Sequence, residues 1–175
     1  MPRIQNCSLT LALLVPALLV AIAGTARPQA PAAAAKADDA KKAATKKEAN
    51  AKDHLAIEGT WRAVSIEVNG NAVNADDVRK VTTENGRDGE WTLLVDGNEM
   101  AEGTSTIDAT ATPKTIDFKV TKGNDAGRET YGIYEFTGDT RKICYAEPGR
   151  PRPSDFSAPA GSGRILAVFE RVKEK

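Results

Sequence analysis

Between Trp61 and Phe169 apolar residues recur with a period of mostly two in short runs, and this alternation limits the fold more than any other feature of the chain. In Thr115-Ile116-Asp117-Phe118-Lys119-Val120, the residues Ile116, Phe118 and Val120 share one face and Thr115, Asp117 and Lys119 the other, as in a half-buried strand. Val64, Ile66 and Val68 alternate with Ser65 and Glu67 in the same way and run into the turn signal Asn69-Gly70-Asn71. Further strands are predicted at Glu90–Val95 (closed by Asp96-Gly97), Thr104–Ala109, Glu129–Phe136, Arg141–Tyr145 and Ile165–Val172. Thr137-Gly138-Asp139-Thr140 reads as a tight hairpin turn. Only Ala75–Val81 reads as helix, one or two turns long, with Asn74 as N-cap and Asp76 and Asp77 in the first turn. Many short strands separated by turns mean an all-β fold, either a sandwich or an antiparallel up-and-down barrel. Sequential hairpins lose their exposed edges by closing, so the expectation is a barrel of about eight strands with at most one short helix.

The nine aromatic residues all lie between positions 61 and 169, which places the packed domain at about 54–175. Residues 27–53 are built mostly from Ala, Lys and Asp, with no aromatic residue and no Leu, Ile or Val. Such a segment has little to bury against its ordering entropy, and it reads as a disordered tether that visits helix through its Ala and Lys content. Residues 1 to about 26 read as a signal peptide: Arg3 gives a basic start, and Leu9 to Ile22 form an apolar run interrupted only by Thr10 and Pro16. Ala21-Ile22-Ala23 and Gly24-Thr25-Ala26 both suit a small-residue cleavage site, and the run falls short of the ~20 residues a spanning helix needs. The expectation is export to the periplasm or beyond, with no stable membrane span once the signal is removed. Cys7 precedes the apolar run, unlike a lipoprotein cysteine, so cleavage leaves Cys144 alone and the fold stands without an internal disulfide.

Formal charge balances at 24 basic against 24 acidic residues, but the tether carries the positive excess and the domain the negative. A mildly acidic domain repels phosphate backbones, so nucleic acid is not an expected partner.

Gly59-Thr60-Trp61, at the start of the first strand, resembles the G-x-W signature of lipocalins. That resemblance implies a Trp closing one end of an eight-stranded barrel beneath an Arg from near the last strand, and Arg171 stands in the matching place. A second, longer resemblance runs through Pro113-Lys114-Thr115-Ile116-Asp117, Gly132-Ile133-Tyr134-Glu135, Ile143-Cys144-Tyr145, Arg152-Pro153-Ser154-Asp155-Phe156 and the strand Ile165–Arg171. In this order the segments resemble a family of small exported, lipocalin-like domains of planctomycete-type bacteria, without assigned function, over residues 55–172. The resemblance implies a barrel and export; it brings no activity and no catalytic residues.

Nothing in the residues themselves builds a catalytic or metal site. His54 is the single histidine and sits at the tether boundary, too little for a triad or a zinc site. Cys144 lies inside a predicted strand, where a free cysteine acts as a small apolar residue. Asp76-Asp77, Asp96-Gly97 and the Gly123–Gly127 stretch read as a helix start and turns. No cofactor is expected. Tyr134 and Phe136 share a strand face with Gly132 and either line or fill the barrel, whose width suits both. In Gly149-Arg150-Pro151-Arg152-Pro153-Ser154-Asp155-Phe156 the prolines stiffen a loop from which Arg150 and Arg152 can take a carboxylate or phosphate. The same loop reads structurally if Phe156 plugs a barrel end and Arg152 pairs with a neighbouring carboxylate. Three functions follow in order: a non-enzymatic module holding a small apolar or amphipathic ligand; a filled scaffold docking an envelope component through Arg150–Phe156; and a hydrolase built on a carboxylate pair.

Overall fold

The computed structural model describes residues 32–173. The signal segment read over positions 1 to about 26, with Arg3 and Cys7, lies outside them. The chain runs α1 (Ala32–Ile57), β1 (Gly59–Val68), β2 (Asn71–Ala72), α2 (Ala75–Val78), β3 (Val81–Asn85), β4 (Glu90–Val95), β5 (Asn98–Asp108), β6 (Lys114–Lys122), β7 (Glu129–Thr137), β8 (Thr140–Ala146) and β9 (Arg164–Arg171). β1 and β3 to β9 form a closed antiparallel up-and-down barrel of eight strands, shut by β1 against β9 from Trp61↔Arg171 to Val68↔Ile165, with β2 a short hairpin arm on β1.

The turns set the register. In Asn69-Gly70 and again in Asp96-Gly97 both residues take positive φ (51° and 85°; 54° and 78°), the geometry that carries a two-residue hairpin with the twist of its strands. Asn74 caps α2 by accepting from the Asp76 amide, but the helix ends at Val78, before the expected Val81. Val81-Thr82-Thr83 instead begins β3, a strand the sequence reading did not contain, because β-branched residues pair better than they coil.

The larger departure is α1. The segment read as a disordered tether over 27–53 is helical from Ala32 and extends to Ile57. Ala and Lys favour the helix, and Glu48 stands four residues before Lys52 in the favourable order. What holds its last turns is one face, Lys46, Asn50, Asp53 and Ile57, at helical spacing. Lys46 pairs with Asp108 at 2.7 Å, and Asn50 donates to the Ile107 carbonyl at 2.7 Å while accepting from the Ala109 amide at 2.8 Å. Residues 36–48 remain exposed.

A second packed layer lies outside the barrel. The segment after β8 folds back over β7 and β8, and Ile133, Cys144, Ala146, Pro153 and Ala158 are all buried. Cys144, a free thiol, contacts the Ser157 carbonyl at 3.5 Å, and burial pushes its pKa up.

Candidate functional site

Register assigns the inward positions. Trp61, Ala63 and Ile66 face the interior from β1, with Val81, Thr83 and Asn85 from β3, and Trp91 and Leu93 from β4. Ile107, Ile116, Phe118, Tyr134, Phe136, Arg141, Ile143, Tyr145, Ala167 and Phe169 follow around the barrel. These side chains divide into two environments.

The part beneath α1 is filled. Trp61 is fully buried and donates from Nε1 to the Ile57 carbonyl at 2.8 Å. Arg171 lies over the ring at 4.2 Å while donating to the Glu58 carbonyl at 2.7 Å and to the Ala56 carbonyl. Gly59, at φ 109°, leaves room for it: a Cβ there would stand 3.2 Å from the guanidinium. Tyr134, also buried, donates its hydroxyl to Asp53 of α1 at 2.7 Å, and Lys114 reaches the same carboxylate oxygen at 2.6 Å. Burial and the Asp53 carboxylate push the Tyr134 phenol well above its usual range. A groove of about 450 Å³, with Lys52, Asp53, Trp61, Lys114, Phe136 and Arg171 on its walls, runs between α1 and the barrel rim.

The remainder of the interior is less closely packed. Trp91, Phe118 and Tyr145 point inward and meet edge to face, with centroids 5.9 Å apart in each pair, yet all three are only half-buried. Ile66, Val81 and Leu93 also point inward and are half-buried. An apolar side chain that faces inward and still has accessible surface borders unfilled space. Trp91 lies across Gly103, where a Cβ would meet the indole at 2.4 Å, so glycine lets this ring lie flat on the barrel wall. Tyr145 is enclosed deeply enough for burial to push its phenol up to about 12.

Between the two parts stands Arg141, 2% exposed, reaching from β8 across to Thr83 and Asn85 on β3. The sequence reading had passed over it. The signal was its parity: it shares the inward face with Ile143 and Tyr145, where a charge is out of place. Asp53, Thr83, Asn85, Trp91 and Phe118 were likewise unassigned, because polar anchors and single aromatics carry no spacing motif.

Of the residues singled out in the sequence, Tyr134 belongs to the filled part and Phe136 to its rim, against Trp61 at 6.0 Å and Tyr134 at 5.6 Å. Arg150 is exposed. Arg152 is engaged: it pairs with Asp117 at 2.5 Å, donates to the Gly132 and Ile116 carbonyls at 2.7 and 3.3 Å, and lies over the Tyr131 ring at 5.5 Å. Phe156 does not plug an end of the barrel; it is half-buried on the outer layer, under Lys142 at 5.4 Å. On the outer face the bond to Glu102 raises the pKa of Glu99, while the bonds to Lys122 and Glu99 lower that of Glu102. Among the described residues no group of three His, Cys, Asp or Glu side chains could hold a metal ion, and no helix is long and apolar enough to cross a membrane.

Fold and interior together define a class: a closed eight-stranded antiparallel barrel, capped at one end by a helix and unevenly packed within. Comparison with family models, curated proteins and solved structures finds no match to this chain.

Proposed function

We propose that this chain is an exported, non-enzymatic binding module, lipocalin-like in construction, that holds a small apolar or amphipathic molecule in the open part of its barrel. The observation that carries the reading is the inward row Trp91–Phe118–Tyr145, half-buried inside a barrel in which Trp61 and Tyr134 are fully buried. Small-molecule sites are mostly apolar concavities with a few fixed polar groups, and the open space has that composition, with Thr83, Asn85 and Arg141 at its border. Gly59-Thr60-Trp61 with Arg171 over the indole supports the lipocalin-like construction. The signal-like N-terminus, Arg3 through Ala26, supports export.

Native mass spectrometry of the protein purified from its own cell envelope tests this. A reproducible extra mass that disappears on denaturation is the expected result and identifies the ligand class. A bare monomer mass, together with Trp91 fluorescence unmoved by 1-anilinonaphthalene-8-sulfonate in a Trp61→Phe background, would overturn it.

A further inference from the structure

The barrel interior holds an unpaired charge. The Arg141 guanidinium crosses the interior and finds only neutral oxygens, Asn85 Oδ1 at 3.3 Å and Thr83 Oγ1 at 3.0 Å. Its plane rests 4.7 Å from the Trp61 ring and 5.3 Å from that of Phe169. Among the described residues no carboxylate pairs with it, its Nε has no acceptor, and the charge that acts on it is another cation, Arg171. A buried charge without a counter-ion is strongly unfavourable, and a fold retains one more readily where something completes it. Burial, with Arg171 adding to it, lowers the guanidinium pKa to about 9.

A second buried donor also lacks a partner. Trp91 Nε1 is buried without an acceptor. Asn85 links the two donors: it pairs across strands with Trp91 and accepts from Arg141. Beyond them run Phe118 and Tyr145, a wall with no charge of its own. The site therefore has a cationic, donor-rich floor and an apolar, aromatic upper wall.

We propose that the ligand is an amphiphile with a carboxylate head, seated head-down, with the carboxylate on Arg141 and the alkyl chain along Trp91, Phe118 and Tyr145. The proposal rests on the binding reading above and narrows it to one chemical class. A guanidinium fork matches a planar carboxylate through two parallel N–H donors, and Nε is buried without any acceptor among the described residues. Arg171 is occupied by the Ala56 and Glu58 carbonyls, so one cation is on offer, which suits a monoanion. A neutral amphiphile of the same length would fill the chamber and leave Arg141 as it stands.

The test is titration calorimetry on the full exported chain with three probes: dodecanoate, dodecan-1-ol and acetate. Dodecanoate is expected to bind at least about tenfold more tightly than the alcohol, and acetate to bind far more weakly than either. In Arg141→Met the acid-to-alcohol ratio falls to about one, and in Arg141→Lys, which keeps a point charge without the fork, it takes an intermediate value. If acid and alcohol bind the unaltered protein equally, the role of Arg141 is overturned while the binding reading stands. Acetate binding as tightly as dodecanoate overturns the amphiphile and leaves a small-anion site. If neither long-chain probe binds, both readings fall. The ratio in the unaltered protein decides even where a substitution impairs folding.

Discussion

Trp61 and Trp91 point into the same barrel from neighbouring stretches of sheet, and their surroundings differ in nearly every respect. Trp61 has no exposed surface, its Nε1 is bonded, and cations lie at 4.2 and 4.7 Å from its ring. Trp91 is half-buried, its Nε1 is orphaned, and its ring is held by glycine below and one aromatic edge beside it. The difference has one source, α1. An eight-stranded barrel has an interior that side chains can just fill. The chain fills it where a helix supplies anchors from outside the barrel and packs it less closely elsewhere. Closure of the sheet and filling of its interior are therefore separate events, and ligand space is what remains when the second is incomplete.

Removal of the two indoles tests that contrast most severely. Trp61→Ala should destabilise the protein by about 4 kcal/mol, the range for a large buried aromatic, and Trp91→Ala by about half as much, read from urea midpoints at constant m. Equal losses would mean that the open part is packed after all. Next is the anchor. Asp53→Ala strips the buried Tyr134 hydroxyl of its acceptor and Lys114 of its partner, with an expected loss of about 2–3 kcal/mol. Hydrogen exchange should accelerate in the last turns of α1, near Asn50 to Ile57, and change little in β4. Overpacking comes third. Ala63→Leu, beneath α1, should lose about 1–2 kcal/mol, whereas Leu93→Phe should lose less than about 0.5 kcal/mol and shrink the ligand site. Equal sensitivity of the two positions would erase the distinction.

The barrel was legible in the sequence because its strands bury one face each, and a period of two survives every other detail. Glu90–Val95 was readable to the residue, and the Asn69-Gly70 and Asp96-Gly97 hairpins follow from backbone demands that few residue pairs meet. α1 was hard to read for the opposite reason. Its docking face is Lys46, Asn50, Asp53 and Ile57, mostly polar, so a search for apolar periodicity passes over it, and its partners lie far along the chain. β3 was lost to a helix start placed correctly at Asn74 but extended too far. The candidate site was the least legible part. Arg141, Asn85 and Trp91 come from three strands and meet only on closure, and whether an inward residue fills space or borders it depends on neighbours that no local pattern names.

The smallest effect expected is a pH dependence that separates two tyrosines of the same barrel. In an unfolded chain a phenol ionises near pH 10. In the folded protein Tyr134 keeps its proton well above that, held by burial and by its bond to Asp53, while burial moves Tyr145 to about 12. Above about pH 10 the unfolded state therefore binds fewer protons than the folded one, and stability falls as pH rises. Each phenol's contribution is intact below about pH 10; that of Tyr145 drains away by about pH 12, and that of Tyr134 continues to drain beyond. Tyr134→Phe should start from a lower stability, through loss of the Asp53 bond, and then decline less steeply than the unaltered protein, by about 1 kcal/mol between about pH 9 and pH 11. Tyr145→Phe should flatten the same interval to a similar degree and change nothing above about pH 12. Urea midpoints along an alkaline series check both. A Tyr134→Phe curve parallel to that of the unaltered protein would mean that the phenol is not sealed beneath α1, and the division of the interior would have to be redrawn.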